Sequence, residues 1–327
     1  MPYDVITIGG VTEDITFYTD EGVIIDNKKD LTKQKLLAFE YGAKIKIDKS
    51  SSGFGGGANN AAVAFARLGF KTACLAAIGD DERGERILQN FRTQKVSTSL
   101  IKKISGQETG FSFLLVGTDN EHICFSSRGA NNSLTIGERK FNIITQARWL
   151  YLASFSGKWQ ALLDKIFSAK NVKIAWNPGH RQIIAGLNVL EKYLKRTDCL
   201  LLNKDEAVEL IMSDKKYKSR GVKFFDEPAN LLTALAQIGP RIVVITNGRY
   251  GADALAEGKI FHQPIIKEKK RIDTTGVGDA FGSSLVAGLE LYNQDMKRAL
   301  NLAALNSAAE IAEQGAQNGL LKKEDIK

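Results

Sequence analysis

The chain has 327 residues, of which 43% are hydrophobic and 25% charged, and its formal net charge is +8. This length and composition are typical of a globular enzyme built as one large α/β domain, with or without a small appendage. The basic residues are scattered and no RNA- or DNA-binding motif is present, so the charge indicates a solvated surface that attracts phosphate ligands and argues against a nucleic-acid partner.

The sequence contains neither a targeting segment nor a membrane span. The N-terminus lacks a basic region followed by an apolar stretch, and no apolar run approaches the roughly 18 residues that a span requires. Cys74, Cys124 and Cys199 are far apart and odd in number, which suggests neither a disulfide framework nor a zinc site. We therefore expect a soluble, cytoplasmic protein with no membrane partner.

The sequence pattern of residues 5–48 predicts a buried strand followed by an irregular insertion. Residues 5–8 form a short β-branched run that ends at two glycines, which is typical of a buried strand. Asp14 follows just beyond its carboxyl end, where open α/β sheets bind ligands. Residues 15–48 alternate or break quickly, with short apolar runs at 22–25 and 43–47 and a polar run at 28–35. They predict small strands that protrude from the domain and cover the site.

A glycine-rich run at residues 50–60 leads into an alanine-rich helix. The helix is predicted from Ala61 to Leu68, with Gly69 as its C-terminal cap. Because glycine has no side chain, this run lets a ligand lie directly against the backbone. The helix is apolar nearly all round, which predicts that it is buried.

The same run permits a competing interpretation as a nicotinamide site. Residues 53–58 satisfy a loose Gly-x-Gly-x-x-Ala fingerprint, and Asp80 and Asp81 follow about 20 residues later, after a strand. A dinucleotide fingerprint belongs after the first strand of a βαβ unit, whereas a long irregular insert precedes this one. This position weakens the interpretation, and an oxidoreductase is kept as the alternative function.

The rest of the chain predicts a doubly wound α/β fold. A strand at 71–78 and a helix at 85–91 precede a hairpin at 110–125, whose turn is at 117–121 and which we assign to a second lid insertion. Strands and helices then alternate to the C-terminus. This alternation predicts a mostly parallel sheet with helices on both faces. We expect one domain over residues 1–327, with a small β lid from segments at about 12–50 and 105–130.

The most informative run extends from Asp273 to Asp279 and reads Asp-Thr-Thr-Gly-Val-Gly-Asp, immediately before an apolar helix pattern. Its glycines allow a tight turn that points successive N–H groups at one spot, and the helix start adds unpaired N–H groups and a positive dipole end. Together they make a cradle for an anion. Asp279 lies at its mouth, placed to accept a proton from a hydroxyl, which suits phosphoryl transfer. The simpler alternative is that Asp279 only caps the helix.

This run closely resembles the C-terminal signature, Asp-Thr-x-Gly-x-Gly-Asp, of the ribokinase-like (PfkB) carbohydrate kinase family. The resemblance implies that Asp279 is the catalytic base and that the backbone N–H groups of residues 276–278 form the anion hole. It also implies ATP and magnesium as cofactors. Many members of the family bind potassium beside this run, which implies a monovalent cation site at Asp273.

The glycine-rich run resembles the family's N-terminal signature, Gly-Gly-x-x-x-Asn before an alanine-rich helix. Ribokinase itself has a lysine where this chain has Gly56, and a glutamate near the end of the strand at 148–153, where this chain has Ala153 and Ser154. These departures leave the acceptor open between sugars and nucleosides. The sugar contacts implied by the resemblance are Asp14, Gly55, Gly56 and Asn59.

Three weaker motifs resemble those that the family has at its nucleotide site. An Asn-x-x-Glu motif at Asn203 implies that Glu206 helps to order magnesium through water, and the same pair reads as a helix capping box. A Thr-x-Gly-x-x-Gly loop begins at Thr246, and a small-residue helix at 299–313 is expected to close over the adenine. The implied nucleotide-site residues are Asn203, Glu206, Thr246, Gly248, Gly251 and Asn306.

These observations predict an ATP-dependent kinase that phosphorylates a hydroxyl of a small sugar or nucleoside, with a homodimer through the lid as one option for its assembly. No Gly-x-x-x-x-Gly-Lys-[Ser/Thr] run occurs, which argues against a P-loop kinase. Besides the oxidoreductase, a non-catalytic sugar-binding relative is a second alternative. The retained Asp279 argues against it, since a pure binder has no need of a base.

Overall fold

The computed structural model describes residues 2–26, 35–117 and 122–326. In chain order the strands are β1 (Val5–Ile8), β2 (Thr12–Tyr18), β3 (Val23–Asp26), β4 (Lys35–Ala38), β5 (Lys49–Gly55), β6 (Thr72–Leu75), β7 (Ala77–Gly79), β8 (Lys102–Ile104), β9 (Phe111–Val116), β10 (His122–Ser127), β11 (Trp149–Leu152), β12 (Lys173–Trp176), β13 (Cys199–Asn203), β14 (Ile242–Thr246), β15 (Ala252–Ala256) and β16 (Lys259–Gln263). The α-helices are α1 (Gly57–Arg67), α2 (Glu82–Thr93), α3 (Glu138–Ile144), α4 (Trp159–Phe167), α5 (His180–Ile183), α6 (Leu187–Leu194), α7 (Lys204–Met212), α8 (Lys215–Lys218), α9 (Val222–Asp226), α10 (Pro228–Ala236), α11 (Val277–Leu291) and α12 (Met296–Ile311).

A large, mostly parallel sheet forms the centre of the molecule. Its strand order is β16-β15-β14-β13-β12-β11-β1-β6. The six strands from β6 to β14 in this order run parallel, and β15 and β16 add antiparallel pairs at one edge. The carboxyl ends of the parallel strands therefore meet at one edge, which is where open α/β sheets bind their ligands.

Helices cover both faces of this sheet, because successive strand residues point to opposite sides. Ile6 and Ile8 of β1 belong to a core cluster with residues of α4, α6, α7 and α10. Val5 belongs to the opposite cluster, with residues of α1, α11 and α12. The predicted doubly wound sheet with helices on both faces is confirmed.

A second, smaller sheet lies outside this core and is assembled from both predicted insertions. Its order is β10-β9-β2-β5, with β2 and β9 parallel and the other neighbours antiparallel. β2 follows β1 after only three residues, so the chain leaves the carboxyl edge of the large sheet and enters the small one directly. This sheet is the expected β lid. Parts of the polar run at 28–35 and of the turn at 117–121 lie outside the described residues.

Several predicted boundaries were wrong, for local physical reasons. The strand predicted at 71–78 is divided at Ala76, since β7 pairs with β8 instead of continuing beside β1. The helix predicted at 85–91 begins at Glu82, because the side chain of Asp81 accepts a hydrogen bond from Gly84 N and caps it three residues earlier. The apolar run at 43–47 forms no strand.

The glycine-rich run also differs from its prediction. Its first half belongs to β5 (residues 49–55), which lies along the edge of the small sheet. Its second half starts α1 at Gly57, four residues before the predicted Ala61. Asn59 and Asn60 therefore lie in the first turns of a helix. Among the described residues, no helix has both the length and the apolar character needed to cross a bilayer.

Candidate active site

The Asp-Thr-Thr-Gly-Val-Gly-Asp run leads into the first turn of α11, which begins at Val277. Gly276 is the N-cap in the left-handed conformation, with φ of 77°. A Cβ atom on Gly276 would lie 2.5 Å from Ala316 Cβ, so both its backbone conformation and its surroundings require glycine. The first hydrogen bond of the helix is donated by Ala280 N to Gly276 O. The N–H groups of Val277, Gly278 and Asp279 precede that bond and lie at the positive end of the helix dipole.

Asp279 is half-buried beside these N–H groups. Its Oδ2 accepts a hydrogen bond of 2.8 Å from Asn60 Nδ2, and its Oδ1 lies 3.1 Å from where a Cβ on Gly57 would sit. Burial raises the pKa of Asp279, the hydrogen bond from Asn60 opposes that rise, and the charge of Asp14 adds to it. A carboxylate whose pKa is raised toward neutrality is a better proton acceptor than an ordinary aspartate.

Asp14 is on β2, close to the glycine-rich run. Its Oδ1 accepts a hydrogen bond of 2.9 Å from Thr12 Oγ1. A Cβ atom on Gly55 would lie 1.9 Å from Asp14 Oδ2, so the absence of a side chain at Gly55 leaves the space that the carboxyl group occupies. Burial raises the pKa of Asp14, hydrogen bonds from Thr12 and Ser112 oppose the rise, and Asp273 adds to it.

Gly56 and Asn59 hold the start of α1 in place. Gly56 has φ of 88°, and a Cβ there would lie 2.5 Å from Gly10 O, so α1 can approach the β1–β2 connection only through glycine. Asn59 is fully buried and donates from Nδ2 to Gly55 O at 3.0 Å. Its Oδ1 makes no hydrogen bond with the described residues.

A cavity of about 300 Å³ lies between the end of β14 and the first turn of α11. Thr246, Gly248 and Gly251 line one side, and Val277 and Gly278 line another. This volume is at the lower end of the range for small-molecule sites and the lining is largely apolar, as a nucleoside moiety requires. The structure therefore brings the predicted Thr-x-Gly-x-x-Gly loop and the predicted anion hole together.

Three predicted nucleotide-site residues do not line this cavity. Asn306 is fully buried and donates to Ser284 Oγ at 2.6 Å, while its Oδ1 accepts from Leu321 N at 2.7 Å. Asn203 and Glu206 form the predicted capping box at the carboxyl end of β13, with hydrogen bonds of 2.9 and 2.8 Å. Burial raises the pKa of Glu206.

Asp273 holds two segments next to the anion cradle. Its Oδ1 accepts from Thr275 N and its Oδ2 from Gly315 N, both at 2.9 Å. With Asp14 and Thr275 it also borders a second cavity, of about 140 Å³, between the small sheet and the residues that follow α12. No cluster of three or more potential metal-ligating His, Cys, Asp or Glu side chains occurs in the described part of the chain.

Comparison with known proteins agrees with this geometry. The family model described as pfkB family carbohydrate kinase matches residues 25–323. The chain belongs to this family. A ribokinase of Haemophilus influenzae is 28% identical over 281 residues, covering 83% of this chain and 85% of the relative.

Two solved kinase structures have the same fold. Arabidopsis thaliana ribokinase, in complex with ribose and ATP, superposes with a TM-score of 0.80 at 18% identity, over 100% of this chain and 98% of that one. A nucleoside kinase of Burkholderia thailandensis in complex with inosine gives 0.76 at 17% identity, over 98% and 96%. At these identities the likeness shows the ribokinase fold alone.

Asn60, which contacts the carboxylate of Asp279, is not among the site residues predicted from the sequence. The prediction names Asn59 as the asparagine of the N-terminal signature, whereas the spacing Gly-Gly-x-x-x-Asn, counted from Gly55, reaches Asn60. That spacing was the available signal. The start of α1 at Gly57 explains the outcome, since it turns Asn59 back toward Gly55 O and Asn60 toward α11.

Proposed function

We propose that this pfkB-family protein is an ATP-dependent kinase that transfers the γ-phosphoryl group to a hydroxyl of a sugar or nucleoside, with Asp279 as the general base. The observation that carries the proposal is the position of the Asp279 carboxylate, which is half-buried at the N-terminus of α11 and hydrogen-bonded to Asn60. A base and a cradle of N–H groups at one helix end suit phosphoryl transfer, because positioning and charge stabilisation dominate that reaction.

In this proposal the acceptor hydroxyl attacks the γ-phosphorus while its proton passes to Asp279. The bond between the γ-phosphorus and the β–γ bridging oxygen breaks, and ADP leaves. Charge develops on the transferred group, and the N–H groups of residues 276–278 are placed to stabilise it. The left-handed conformation of Gly276 supports this assignment, since it turns the backbone so that the N–H groups at the start of α11 can face one bound anion.

The acceptor is assigned to the space bounded by Asp14 and Asp279. A carboxylate accepts hydrogen bonds from sugar hydroxyls, and the bare backbone at Gly55 and Gly56 allows a close approach. The Oδ1 of Asn59, which accepts no hydrogen bond from the described residues, is a further acceptor atom next to this run. The ribose and inosine in the two related structures support a sugar or a nucleoside as the class of acceptor.

We assign the nucleotide to the 300 Å³ cavity, with Thr246, Gly248 and Gly251 on one side of it. Magnesium would be held chiefly by the nucleotide phosphates and water, which suits a chain without a dedicated cluster of ligands among its described residues. Glu206 would hold one such water, because its carboxyl group is already fixed by Asn203 N. The bound ion would supply positive charge beside the phosphates.

A monovalent cation such as potassium is assigned to Asp273. Both of its carboxylate oxygens already accept backbone N–H groups, but a carboxylate offers about four lone-pair directions, so each oxygen can take a further partner. The residues present therefore fit such an ion. When bound, it would add positive charge beside the anion cradle.

The lid segments support a homodimer as the assembly. Phe125 on β10, an edge strand of the small sheet, is 55% exposed, and Val23 and Ile25 on β3, which pairs with β4 in a separate two-stranded sheet, are also exposed. An apolar edge strand without a cover favours pairing with a second copy. Light scattering on the purified protein measures its oligomeric state, and a monomer at micromolar concentration would contradict the homodimer.

The oxidoreductase alternative has little support from this geometry. Gly53 and Gly55 lie in β5, an antiparallel strand of the small sheet, whereas a dinucleotide fingerprint needs the turn after a parallel strand. Asp81 caps α2 and accepts hydrogen bonds from Thr109, so it is engaged in structure. Fluorescence titration with reduced nicotinamide tests this alternative.

The decisive experiment is an ADP-release screen over sugars, sugar phosphates and nucleosides, repeated with Asp279→Asn. Loss of a general base typically lowers the rate by about 10²–10⁴-fold, so we expect turnover to fall on that scale while ATP affinity changes little. Equal turnover of Asp279→Asn and wild type would remove the base assignment. ATP binding without ADP release on any acceptor would favour the non-catalytic relative.

A further inference from the structure

Behind Asp279 lies a chain of three side-chain amides that connects it to the residues following α12. Asn60 Nδ2 donates to Asp279 Oδ2 at 2.8 Å, and Gln317 Nε2 donates to Asn60 Oδ1 at 3.0 Å. Asn90 Nδ2 in turn donates to Gln317 Oε1 at 2.9 Å. Asn60 and Gln317 are only 4% and 6% exposed, so water does not replace these hydrogen bonds.

The direction of the chain is determined by the carboxylate at its end. An ionised carboxylate only accepts hydrogen bonds, so Asn60 must turn its NH₂ group toward Asp279 and its carbonyl toward Gln317. The NH₂ group of Gln317 then faces Asn60, and its carbonyl faces Asn90. Each amide therefore donates toward Asp279, and each hydrogen bond polarises the next in the same sense.

We propose that Gln317 is a positioning residue for the reaction, and that it acts through Asn60 to orient the Asp279 carboxylate and keep it ionised. This inference rests on the proposed role of Asp279 as the base. It gives a role in positioning the base to a residue of the segment after α12.

The charges around Asp279 make the hydrogen bond from Asn60 important for its ionisation. The titratable groups that bear on Asp279 are Asp14 of β2, Tyr151 of β11 and Glu310 of α12. All three are acids, and burial also raises the pKa of Asp279. The hydrogen bond from Asn60 is the interaction that opposes this rise, because it favours the charged form.

The same segment also fixes the anion cradle. Gly315 N donates to Asp273 Oδ2, and Ala316 packs against Gly276 at the N-cap of α11. Gln317 follows directly in the sequence. Three consecutive residues therefore contact the anion cradle and, through Asn60, the base.

The test compares the acid limb of the pH profile of kcat/KM in four proteins: wild type, Asn60→Leu, Gln317→Leu and the double variant. Loss of the donor raises the pKa of the base. We therefore expect the acid limb to move upward by about one pH unit in Asn60→Leu and by about half a unit in Gln317→Leu. Because Gln317 acts through Asn60, the double variant should match Asn60→Leu. At pH values well above the limb, KM for ATP should equal that of wild type.

Two further variants keep the test informative. Gln317→Glu preserves the size of the side chain but, once ionised, cannot donate to Asn60 and adds a negative charge near Asp279. It should therefore move the limb upward at least as far as Gln317→Leu does, even if the latter folds poorly. Asn230→Leu removes a part-buried amide that donates only to Phe224 O in the described structure, and it should leave the profile unchanged.

The outcomes separate this inference from the proposed function. An acid limb that does not move in either Gln317 variant, or shifts that add in the double variant, would overturn the role of Gln317 while Asp279→Asn still abolishes turnover. Retained turnover in Asp279→Asn would overturn both, because the chain of amides would then end at a residue that is not the base.

Discussion

At the scale of single residues, the glycine at position 55 is explained by a carboxyl group and not by a turn. Gly55 carries no positive φ and lies in a regular strand, yet a Cβ atom there would overlap Asp14 Oδ2 at 1.9 Å. The glycine signature therefore serves two purposes in this chain. Gly55 leaves room for Asp14, whereas Gly56 permits the left-handed start of α1.

This difference predicts the effect of adding one methyl group. Gly55→Ala should push the Asp14 carboxyl group out of its place, so KM for the acceptor should rise about tenfold, a loss of about 1.4 kcal/mol, with little change in ATP affinity. Gly53→Ala is the matched control, since it lies in the same strand and its Cβ would meet nothing within 4 Å. Steady-state kinetics on both variants measure this, and equal acceptor KM values would contradict it.

Glu310 provides a prediction about stability. It is fully buried, and neither carboxyl oxygen has a well-formed hydrogen bond among the described residues. Burial raises its pKa from 4.5 to about 8, although the charge of Arg67 and the nearby backbone N–H of Gly319 oppose the rise. Between these two values the folded protein holds a proton that the unfolded chain releases. Stability should therefore fall as pH rises through this window and become constant above it.

Glu310→Gln removes this titration without changing the size of the side chain. Relative to wild type, the variant should be nearly equal at pH 5 and more stable at pH 8.5, by on the order of 2 kcal/mol. Urea unfolding at both pH values measures the difference. Glu313→Gln, an exposed carboxyl one turn further on, should show no such dependence. A constant difference between Glu310→Gln and wild type at the two pH values would mean that Glu310 is ionised in the folded state.

At the scale of elements, two helix N-termini meet at the carboxyl edge of the large sheet. α1 and α11 pack side by side, and each begins after a left-handed glycine, Gly56 or Gly276. These glycines bring Asn60 and Asp279 within hydrogen-bond distance although 219 positions separate them in the sequence. The positions at which α1 and α11 begin therefore bring the residues of the site together.

The sequence predicts the type of these elements, but not all of the contacts by which they form the site. The β-branched run at 5–8 and the apolar helix after Asp279 identify strand and helix, because burial dictates those patterns. The start of α1 depends on contacts between Gly56 and Gly10, which local propensity does not contain. For the same reason the pattern could not reveal that Asn306 donates to Ser284. The spacing of the N-terminal signature, by contrast, does distinguish Asn60 from Asn59.

The connection between α12 and the anion cradle predicts a response to cations. Asp273 joins Thr275 to Gly315, and an ion on its free lone pairs would order both segments and add positive charge. We expect faster turnover in potassium than in a bulky organic cation at equal ionic strength. Asp273→Asn should lower turnover in potassium and remove the difference between the two cations. Equal wild-type rates in both salts would exclude the cation from the mechanism.

At the scale of the whole molecule, the small sheet is tied to the residues after α12. Gln314 Nε2 donates to Tyr18 Oη at 3.0 Å and to Ser51 Oγ at 2.9 Å, so one side chain bridges β2, β5 and the C-terminal segment. The small sheet therefore closes the side of the site on which Asp14 and Asp273 lie. What enters there must be compatible with the charge of this wall.

That charge is negative. Asp14 and Asp273 border the 140 Å³ cavity, and the charge of Asp14 also bears on Asp279. At an effective dielectric constant of about 20, two unit charges 4 Å apart interact by about 4 kcal/mol, and water and distance reduce this value considerably. Even about 1.4 kcal/mol changes affinity tenfold. A phosphate on the acceptor would thus need basic side chains nearby.

Lys49 of β5 donates to Gln314 Oε1 at 3.2 Å, and three other basic residues of the described lid segments lie in solvent. Lys46 is 74% exposed and pairs with Asp48 at 2.8 Å, and Lys44 and Arg128 are also exposed. We therefore predict a neutral acceptor, with a catalytic efficiency for ribose or adenosine at least tenfold above that for fructose 6-phosphate. The measurement compares ribose, fructose, adenosine and fructose 6-phosphate under one set of conditions. If the phosphorylated sugar is instead preferred by more than tenfold, the negative wall must be neutralised on closure, and Arg128→Ala, compared with Lys44→Ala, would identify the residue that neutralises it.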